Sequence, residues 1–313
     1  MALGFRLIND HVLNGLHSLP NESVDLIVTS GPYFRQRDYH HKKQIGQEEK
    51  PEQYIGAMSE VDKECLRVLK RSGSMFWNIN DTYATAGGLG SHSGLTEKRR
   101  GKKLFVLVNK NKSGKLSTSR GTEEHKLITA DVYKLSDKGL ILIPERLAIQ
   151  FQNDGWVFRN RLIWVKPCCM PGGAAAYDRF DNTYEIIYMC SKSPHYYYDK
   201  DAAIQFMRDY AQDHQKHQEW GGGDVFIIAP AHSTLEHYAM YPLEIPRRLI
   251  GICCPRGGVV LDPFSGLGST GIAAIQCGCY YIGIELIKKY IDDTLERFKN
   301  ELKPRSIKVV SSV

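Results

Sequence analysis

The sequence predicts an α/β fold with a mostly parallel, twisted sheet and helices on both of its faces. Strand-like and helix-like segments alternate along much of the 313 residues, as they do where helices connect parallel strands. The compact apolar run Val24–Thr29 is typical of a strand that is buried on both faces. A glycine turn joins the strand-like residues 258–261 to the helix-like residues 270–277, and strand, glycine turn and helix in that order form nucleotide-cofactor pockets.

The first elements follow from periodicity and from proline. Residues 4–34 predict two strands around a short turn, and the second strand stops before Pro32, which has no N–H to donate to a ladder. Between Glu52 and Lys70 the apolar residues recur at helical spacing, which predicts a helix that Gly73 ends. Residues 74–79 then predict the next strand.

The later elements continue the alternation, with two interruptions. Pro144 suits the first turn of a helix and Gly155 suits its end. Residues 84–126 are rich in Gly, Ser and Lys, with one hairpin expected near 104–108, and residues 193–230 are aromatic, polar and irregular. The other expected elements are strands at 157–165, 185–190 and 280–284 and helices at 241–254 and 286–302.

The charge of the chain is concentrated in one segment. The net charge is only +6 and the pI is near 8.8. Residues 97–126, however, contain ten Lys and Arg residues and only three Glu residues. A local excess of this size can neutralise several phosphates, although a solvated loop fits the charge alone equally well.

Two classes of protein are excluded at this level. No apolar stretch approaches the roughly 20 residues that span a bilayer, and the N-terminus is polar too soon for a signal peptide. The eight cysteines contain no C-x-x-C pair, and His214 and His217 lack a second ligand pair nearby. We therefore expect neither a membrane protein nor a structural metal site.

The first motif is the glycine turn, DPFSGLG at residues 262–268. Gly266 and Gly268 let the backbone approach a ligand where a Cβ would collide. Pro263 removes a backbone donor that a pyrophosphate would need, and no lysine follows, which excludes a P-loop. The next strand ends on Glu285, where the hydroxyl pair of a ribose would lie.

The second motif, TSGPY at residues 29–33, ends the buried strand. It therefore points into the crevice at the carboxyl edge of the sheet. It offers the Ser30 hydroxyl, the Gly31 carbonyl, a rigid turn and an aromatic ring, which together can hold a flat base and accept hydrogen bonds from its amino group. In isolation, Gly-Pro-Tyr fits a plain tight turn as well.

Together the two motifs resemble those of the DNA amino-methyltransferases, which methylate the exocyclic nitrogen of cytosine or adenine. The tetrapeptide SGPY at residues 30–33 precedes the cofactor motif at residues 262–268, as in the beta group of that family. The resemblance covers most of the chain. The matching segments are VDLIVTSGPY at 24–33, ECLRVLKRSG at 64–73, residues 78–81, RLIWVK at 161–166, DRFDNTYE at 178–185 and HYAMYP at 237–242.

The resemblance implies a Rossmann-like methyltransferase fold with inserted DNA-recognition segments, and S-adenosylmethionine as the cofactor. Asp262 would face the amino-acid end of the cofactor, directly or through water. Glu285 would accept hydrogen bonds from the ribose hydroxyls, and Asp10 would lie near the adenine amino group. The residues that would shape the turn beneath the cofactor are Pro263, Phe264, Gly266 and Gly268.

The resemblance also implies catalytic roles for Ser30, Gly31, Pro32 and Tyr33. A flipped base would stack on Tyr33, while Ser30 Oγ and the Gly31 carbonyl accept its amino hydrogens. Serine in the first position of this tetrapeptide favours cytosine N4 as the methylated atom, and adenine N6 stays open as the alternative. The family usually has Pro where this chain has Gly31; the carbonyl acceptor survives, but the turn loses rigidity.

Four other interpretations compete with this one. An RNA or protein methyltransferase would share the cofactor pocket, but it would explain residues 30–33 and the basic stretch less well. A protein that binds the cofactor and DNA without transferring a methyl group would explain Gly31. A nicotinamide-dependent oxidoreductase would share the glycine pattern. Pro167-Cys168 resembles the nucleophile of the cytosine C5 methyltransferases, but the Glu-Asn-Val that those enzymes require is missing and their cofactor motif comes first.

The expected organisation follows from the resemblance. The expected segments are a catalytic half at 1–83, a basic insertion for DNA contact at 84–142, a continuation of the catalytic sheet at 143–192, a target-recognition segment at 193–230 and a cofactor-binding half at 231–313. The expected partner is double-stranded DNA, and a homodimer stays open. We expect a cytoplasmic, nucleoid-associated protein of a prokaryote or phage that serves a restriction–modification system.

Overall fold

A computed structural model describes the chain at residues 4–84, 139–167, 180, 182–213, 223–230, 241–302 and 308–309. The chain forms two compact units. One comprises residues 1–82, 141–169 and 182–313, and the other comprises residues 83–140 and 170–181. Within the second unit, Tyr83 and Leu140 form an antiparallel bridge.

Several sequence predictions fall outside the described residues and stay predictions. They are the basic stretch at 97–126, the hairpin near 104–108, Cys168, His214 and His217. Among the helices that the structure does describe, none is both long and apolar enough to cross a membrane.

The first unit contains the sheet and its helices. The strands are β1 (Gly4–Asn9), β2 (Val24–Ser30), β3 (Leu69–Ile79), β4 (Val157–Val165), β5 (Tyr184–Ser191), β6 (Val225–Ile227), β7 (Val259–Asp262), β8 (Tyr280–Glu285) and β9 (Lys308–Val309). The helices are α1 (Val12–His17), α2 (Pro51–Val68), α3 (Ile143–Asn153), α4 (Lys200–Asp213), α5 (Glu244–Cys253), α6 (Ser269–Gln276) and α7 (Lys288–Glu301).

The predicted α/β architecture with a mostly parallel sheet is confirmed. The described strands form one nine-stranded sheet in the order β6-β4-β5-β3-β2-β7-β8-β1-β9. Only β5 among them runs against its neighbours, since it pairs antiparallel with both β3 and β4. In the middle of the sheet β2 lies between β3 and β7, in parallel register with each.

Both faces of the sheet are covered by helices. Val28 of β2 and Phe76 of β3 belong to one apolar cluster with Ile250 of α5. The next residue of β3, Trp77, turns to the other face and packs edge-on against Phe151 of α3, with ring centroids 5.2 Å apart. This alternation is the two-residue period of a strand, and it separates α3 from α5 across the sheet.

Three elements differ from the sequence predictions. Residues 12–17 form helix α1 instead of a turn, and its six residues are too few to show a helical period. Helix α2 ends at Val68, and Gly73 lies inside β3, where a Cβ would meet Leu69 Cδ1 at 2.6 Å. The stretch 193–230 is not irregular throughout, because it contains α4 and β6.

The start of α4 carries a signal that the sequence analysis overlooked. Asp199 Oδ1 accepts a hydrogen bond from the Ala202 N–H at 2.8 Å, and its carbonyl accepts the Ala203 N–H. An aspartate in this position caps a helix. The apolar residues Ala203, Phe206, Met207 and Tyr210 also recur at helical spacing, so both signals for this helix were present in the sequence.

One buried carboxyl group lies on the packed side of α2. Asp62 is fully buried, and neither of its carboxylate oxygens has a hydrogen-bond partner among the described residues. Burial raises the pKa of Asp62 to about 8, and the neighbouring Asp154 carboxylate adds to the increase. The proton therefore stays on Asp62 at neutral pH in the folded chain, whereas it leaves in the unfolded chain.

We expect Asp62→Asn to flatten the pH dependence of stability. The folded pKa lies above the unfolded value, so the folded chain binds the extra proton and loses stability as pH rises from about 4 to about 8. The amide of the variant does not titrate. Urea unfolding at pH 5, 7 and 9 measures this, with Glu60→Gln on the exposed side of α2 as the control. Equal pH slopes in Asp62→Asn and the parent chain would contradict the expectation.

Candidate active site

A cleft of about 490 Å³ opens at the carboxyl edge of the sheet, a volume within the usual range for small-molecule sites. Residues that follow β1, β2, β7 and β8 contribute to its wall. The predicted site residues in the lining are Asp10, Ser30, Gly31, Pro32, Tyr33, Pro263, Phe264, Gly266 and Glu285. Asp262 and Gly268 lie behind this lining, where their contacts support it.

The two glycines of the turn between β7 and α6 have different reasons to be glycine. Gly266 has φ of +51° and Gly268 has φ of +72°, a region that disfavours residues with a Cβ. A Cβ on Gly268 would also lie 2.6 Å from Thr294 Cγ2, so α7 packs directly on the turn. A Cβ on Gly266 would have no heavy atom within 4 Å, which leaves room for a ligand at this point of the cleft.

Glu285 closes this turn from the neighbouring strand. Its carboxylate accepts hydrogen bonds from the Gly266 N–H at 2.9 Å and from the Ile287 N–H at 2.8 Å. Burial raises the pKa of Glu285 to about 7, against the effect of these two donors. The last residue of β8 therefore holds the backbone of the glycine turn, and its charge changes near neutral pH.

Asp262 joins β7 to its neighbours from inside the protein. Its carboxylate accepts hydrogen bonds from Thr29 Oγ1 and from Thr270 Oγ1, each at 2.7 Å, and from the Phe264 N–H at 3.1 Å. Only 1% of the residue is exposed. Burial raises the pKa of Asp262 to about 6, although all three donors oppose the rise. Tyr241 extends the network through a hydrogen bond with the Thr270 hydroxyl.

Residues 30–33, the SGPY corner, follow β2, and hydrogen bonds with α2, β3 and β5 hold them in place. The Tyr54 hydroxyl donates to the Pro32 carbonyl at 2.7 Å from a fully buried position on α2. Asn78 Nδ2, at the end of β3, donates to the Tyr33 hydroxyl at 2.8 Å and to Ser30 Oγ at 3.3 Å. Tyr33 donates in turn to Glu185 Oε2 at 2.5 Å.

Three members of this network, Asn78, Lys166 and Glu185, were not predicted as site residues. Glu185 is buried, accepts from Tyr33 and Asn78, and forms an ion pair with Lys166. Burial and the Glu185 charge raise the pKa of Tyr33 well above its usual value. Asn78, Lys166 and Glu185 lie within segments that carried the family resemblance, and their polar types at strand ends were the available signal.

Asp10 lies near Glu285 in the cleft wall, because it directly follows β1 and the last residue of β1, Asn9, pairs with Glu285. It is exposed, and its Oδ1 accepts hydrogen bonds from Asn14 Nδ2 at 3.0 Å and from the His11 N–H at 2.6 Å. These two bonds lower the pKa of Asp10. A second carboxylate, which stays ionised at neutral pH, is thus available near Glu285.

Comparison with known proteins identifies the chain. The family model N6_N4_Mtase, described as DNA methylase, matches residues 24–296. The chain belongs to this family. It is therefore a DNA methyltransferase, and its cofactor is S-adenosylmethionine, as the sequence resemblance implied. The oxidoreductase alternative is thereby removed.

Individual relatives agree with the family. The chain is 32% identical over 298 residues to the type II methyltransferase M.Cfr9I of Citrobacter freundii, covering 95% of this chain and 89% of that protein. TTHA0409 of Thermus thermophilus, solved in complex with S-adenosyl-L-methionine, has a TM-score of 0.60 at 22% identity and covers 99% of each chain. The cytosine-N4-specific PvuII DNA methyltransferase has a TM-score of 0.65 at 18% identity, covering 97% of this chain and 88% of its own.

The described cleft fits this cofactor. The wall has open space at Gly266 and two neighbouring carboxylates, those of Glu285 and Asp10. An adenosine moiety presents hydroxyl and amino donors, which carboxylates accept. The residues of this methyltransferase therefore match the chemistry of the group that the family uses.

We expect Thr270→Val to destabilise the methyltransferase by about 1–3 kcal/mol, because the buried Asp262 carboxylate loses a donor. The loss should be larger at pH 8 than at pH 5, since Asp262 is ionised only above its pKa of about 6. Thr270→Ser keeps the hydroxyl and is the matched control. Thermal unfolding at both pH values measures the difference, and a loss that is equal in the Val and Ser variants would contradict this role.

Proposed function

We propose that this DNA methyltransferase transfers the methyl group of S-adenosylmethionine to cytosine N4 in double-stranded DNA, as the modification enzyme of a restriction–modification system. The observation that carries the proposal is that the SGPY corner and the glycine turn line one cleft although about 230 residues separate them in sequence. Adenine N6 is the alternative target within the same family. The similarity to the type II enzyme M.Cfr9I supports the cellular role.

The cofactor half of the cleft is formed by the glycine turn and β8. When bound, the cofactor supplies an electrophilic methyl group on a sulfonium. Glu285 would accept hydrogen bonds from the ribose hydroxyls, and Asp10 would accept a hydrogen bond from the adenine amino group. Gly266 leaves space for the ligand. Asp262 acts from behind the wall, because its carboxylate is already bonded to two threonines and to the Phe264 N–H. It orients the turn, and it reaches the amino-acid end of the cofactor only through water.

The base half of the cleft is formed by the SGPY corner. A base flipped out of the duplex stacks on the Tyr33 ring. Ser30 Oγ and the Gly31 carbonyl would accept hydrogen bonds from the amino group, which would leave the nitrogen lone pair available to take the methyl group. The methyl–sulfur bond of the sulfonium would break as the methyl–nitrogen bond forms, the cofactor would leave as a thioether, and one amino proton would pass to solvent. The hydrogen bonds from Tyr33 to Glu185 and from Asn78 to Tyr33 keep the ring in one orientation. Such preorganisation lowers the barrier mainly through positioning.

The preference for cytosine rests on Ser30, because family members with serine in the first position of the tetrapeptide typically methylate N4. Arg37 and Lys43 line the same cleft. Their charges suit the phosphates that flank a flipped nucleotide, and they supplement the basic stretch 97–126 as contacts for DNA. The stretch 193–230 remains the proposed target-recognition segment.

The direct test is transfer of tritiated methyl groups from S-adenosylmethionine to mixed-sequence duplex DNA, followed by nucleoside analysis. We expect label in N4-methylcytosine. Label in N6-methyladenine would move the proposal to the alternative target. Cofactor binding without any labelled nucleoside would support the non-catalytic DNA-binding protein instead.

We expect Ser30→Ala to lower turnover at least about tenfold while the affinity for S-adenosylmethionine stays within about twofold. The substitution removes an acceptor at the base and touches nothing in the glycine turn. Ser23→Ala, in the residue directly before β2 and therefore at the edge of the sheet opposite the cleft, is the matched control and should leave turnover unchanged. Turnover of Ser30→Ala equal to that of the control would refute the catalytic role of Ser30.

Glu285 should make cofactor affinity depend on pH. The ionised carboxylate accepts hydrogen bonds more strongly than the protonated acid does, and the pKa of Glu285 is about 7 in the free chain. We therefore expect affinity for S-adenosylmethionine to fall about tenfold from pH 8 to pH 6.

The matched variants separate Glu285 from other titrating groups. Glu285→Gln should bind more weakly at pH 8 and lose most of the pH dependence. Asp10→Asn should keep it, because the lowered pKa of Asp10 lies below this range. Isothermal titration at pH 6, 7 and 8 decides between them. The same pH slope in Glu285→Gln and the parent chain would exclude Glu285 as the titrating group.

A further inference from the structure

The glycine at position 31 is explained by one neighbouring side chain. A Cβ on Gly31 would lie 2.7 Å from Cζ2 of Trp77 and 3.0 Å from its Cε2 and Nε1. Real Cβ atoms do not come this close to ring atoms, so any side chain at position 31 requires the indole to move. The indole of Trp77 therefore occupies the space that a side chain at position 31 would fill.

Trp77 has little freedom to move. It is fully buried on β3, and its backbone pairs with Thr29 of β2. Its ring packs edge-on between Phe151 of α3, at 5.2 Å between centroids, and Phe264 of the glycine turn, at 5.9 Å. Its Nε1 has no hydrogen-bond partner among the described residues. Packing alone fixes this ring, and a close-packed interior resists its displacement.

The corner at residues 30–33 is also restrained by neighbours other than Trp77. Pro32 fixes its own φ and restricts the backbone of the residue before it. Tyr54 holds the Pro32 carbonyl, and Asn78 holds Ser30 and Tyr33. Without a side chain, Gly31 would still be the most mobile residue of this corner. The indole of Trp77 covers its backbone and therefore limits this mobility.

We propose that Trp77 is a positioning residue for methyl transfer, which holds the Gly31 peptide in place in the absence of a side chain there. The proposal rests on the proposed function, since the Gly31 carbonyl is the acceptor for the base. Because Trp77 also contacts Phe264, it fixes the spacing between the base corner and the cofactor turn. In this proposal, packing by Trp77 offsets the loss of rigidity at Gly31, so a glycine at this position is compatible with catalysis.

A double-mutant cycle tests this proposal with Gly31→Ala, Trp77→Phe and the double variant. Gly31→Ala adds the Cβ that collides with the indole, which displaces the corner, and we expect turnover to fall between about tenfold and a hundredfold. Trp77→Phe removes the atoms that the Cβ would meet and loosens the corner, with a smaller loss. In the double variant the new methyl group enters the vacated space, so turnover should exceed that of Gly31→Ala about tenfold.

Further measurements separate positioning from a general loss of structure. The affinity for S-adenosylmethionine should stay within about twofold in all three variants, so that the effect lies in turnover. Trp156→Phe is the matched control, because Trp156 is also buried with an unpartnered Nε1 among the described residues but is not one of the side chains that a Cβ at position 31 would meet. It should keep full turnover even where it lowers the midpoint of thermal unfolding.

Two results would overturn the proposal: full activity in Gly31→Ala, or losses in the double variant that equal the product of the single losses. A parent chain that methylates no DNA would contradict the proposed function itself. The same four proteins would then still test the contact through thermal unfolding, where additive shifts of the midpoint would show that Gly31 and Trp77 are not coupled.

Discussion

The cleft depends on the buried carboxylate of Asp262. This group ends β7 and accepts hydrogen bonds from Thr29 at the end of β2 and from Thr270 in α6. Ser30 follows Thr29 directly, and the glycine turn follows Asp262, so one carboxylate fixes where both halves of the cleft begin. Its burial is costly, as the raised pKa shows. Three donors offset that cost, and they are available only when β2, β7 and α6 are assembled.

The order of the two motifs along the chain has no consequence for this assembly. Strand β2 pairs with β7 through Leu26 with Val260 and Ile27 with Leu261, and this register requires only that the two strands be parallel neighbours. The carboxyl ends of parallel neighbours meet at one edge of a sheet. A chain that supplies the base corner first and the cofactor turn last therefore builds the same DNA methyltransferase cleft as one in the reverse order.

Sequence reasoning succeeded where the physical signal is local. The apolar period of α2, the strand that ends at SGPY and the glycine turn are each visible within a short stretch of chain. It failed for α1, which has only six residues. It also missed α4, although Ala203, Phe206, Met207 and Tyr210 recur there at helical spacing, because the stretch around them is polar and aromatic. The reason for Gly31 could not be found in this way either, because its partner Trp77 lies in a different strand and no local pattern connects them.

The omission of Glu185 from the predicted site has a topological cause. Functional residues of parallel sheets are sought where strands end, since those ends form the cleft. Strand β5 runs the other way, and Ile79 at the end of β3 pairs with Ile186 near the start of β5. The first residues of β5 therefore reach the cleft, and Glu185 meets Tyr33 there. An antiparallel strand cannot be recognised from its own apolar run, so the importance of its first residues becomes visible only once the strand order is known.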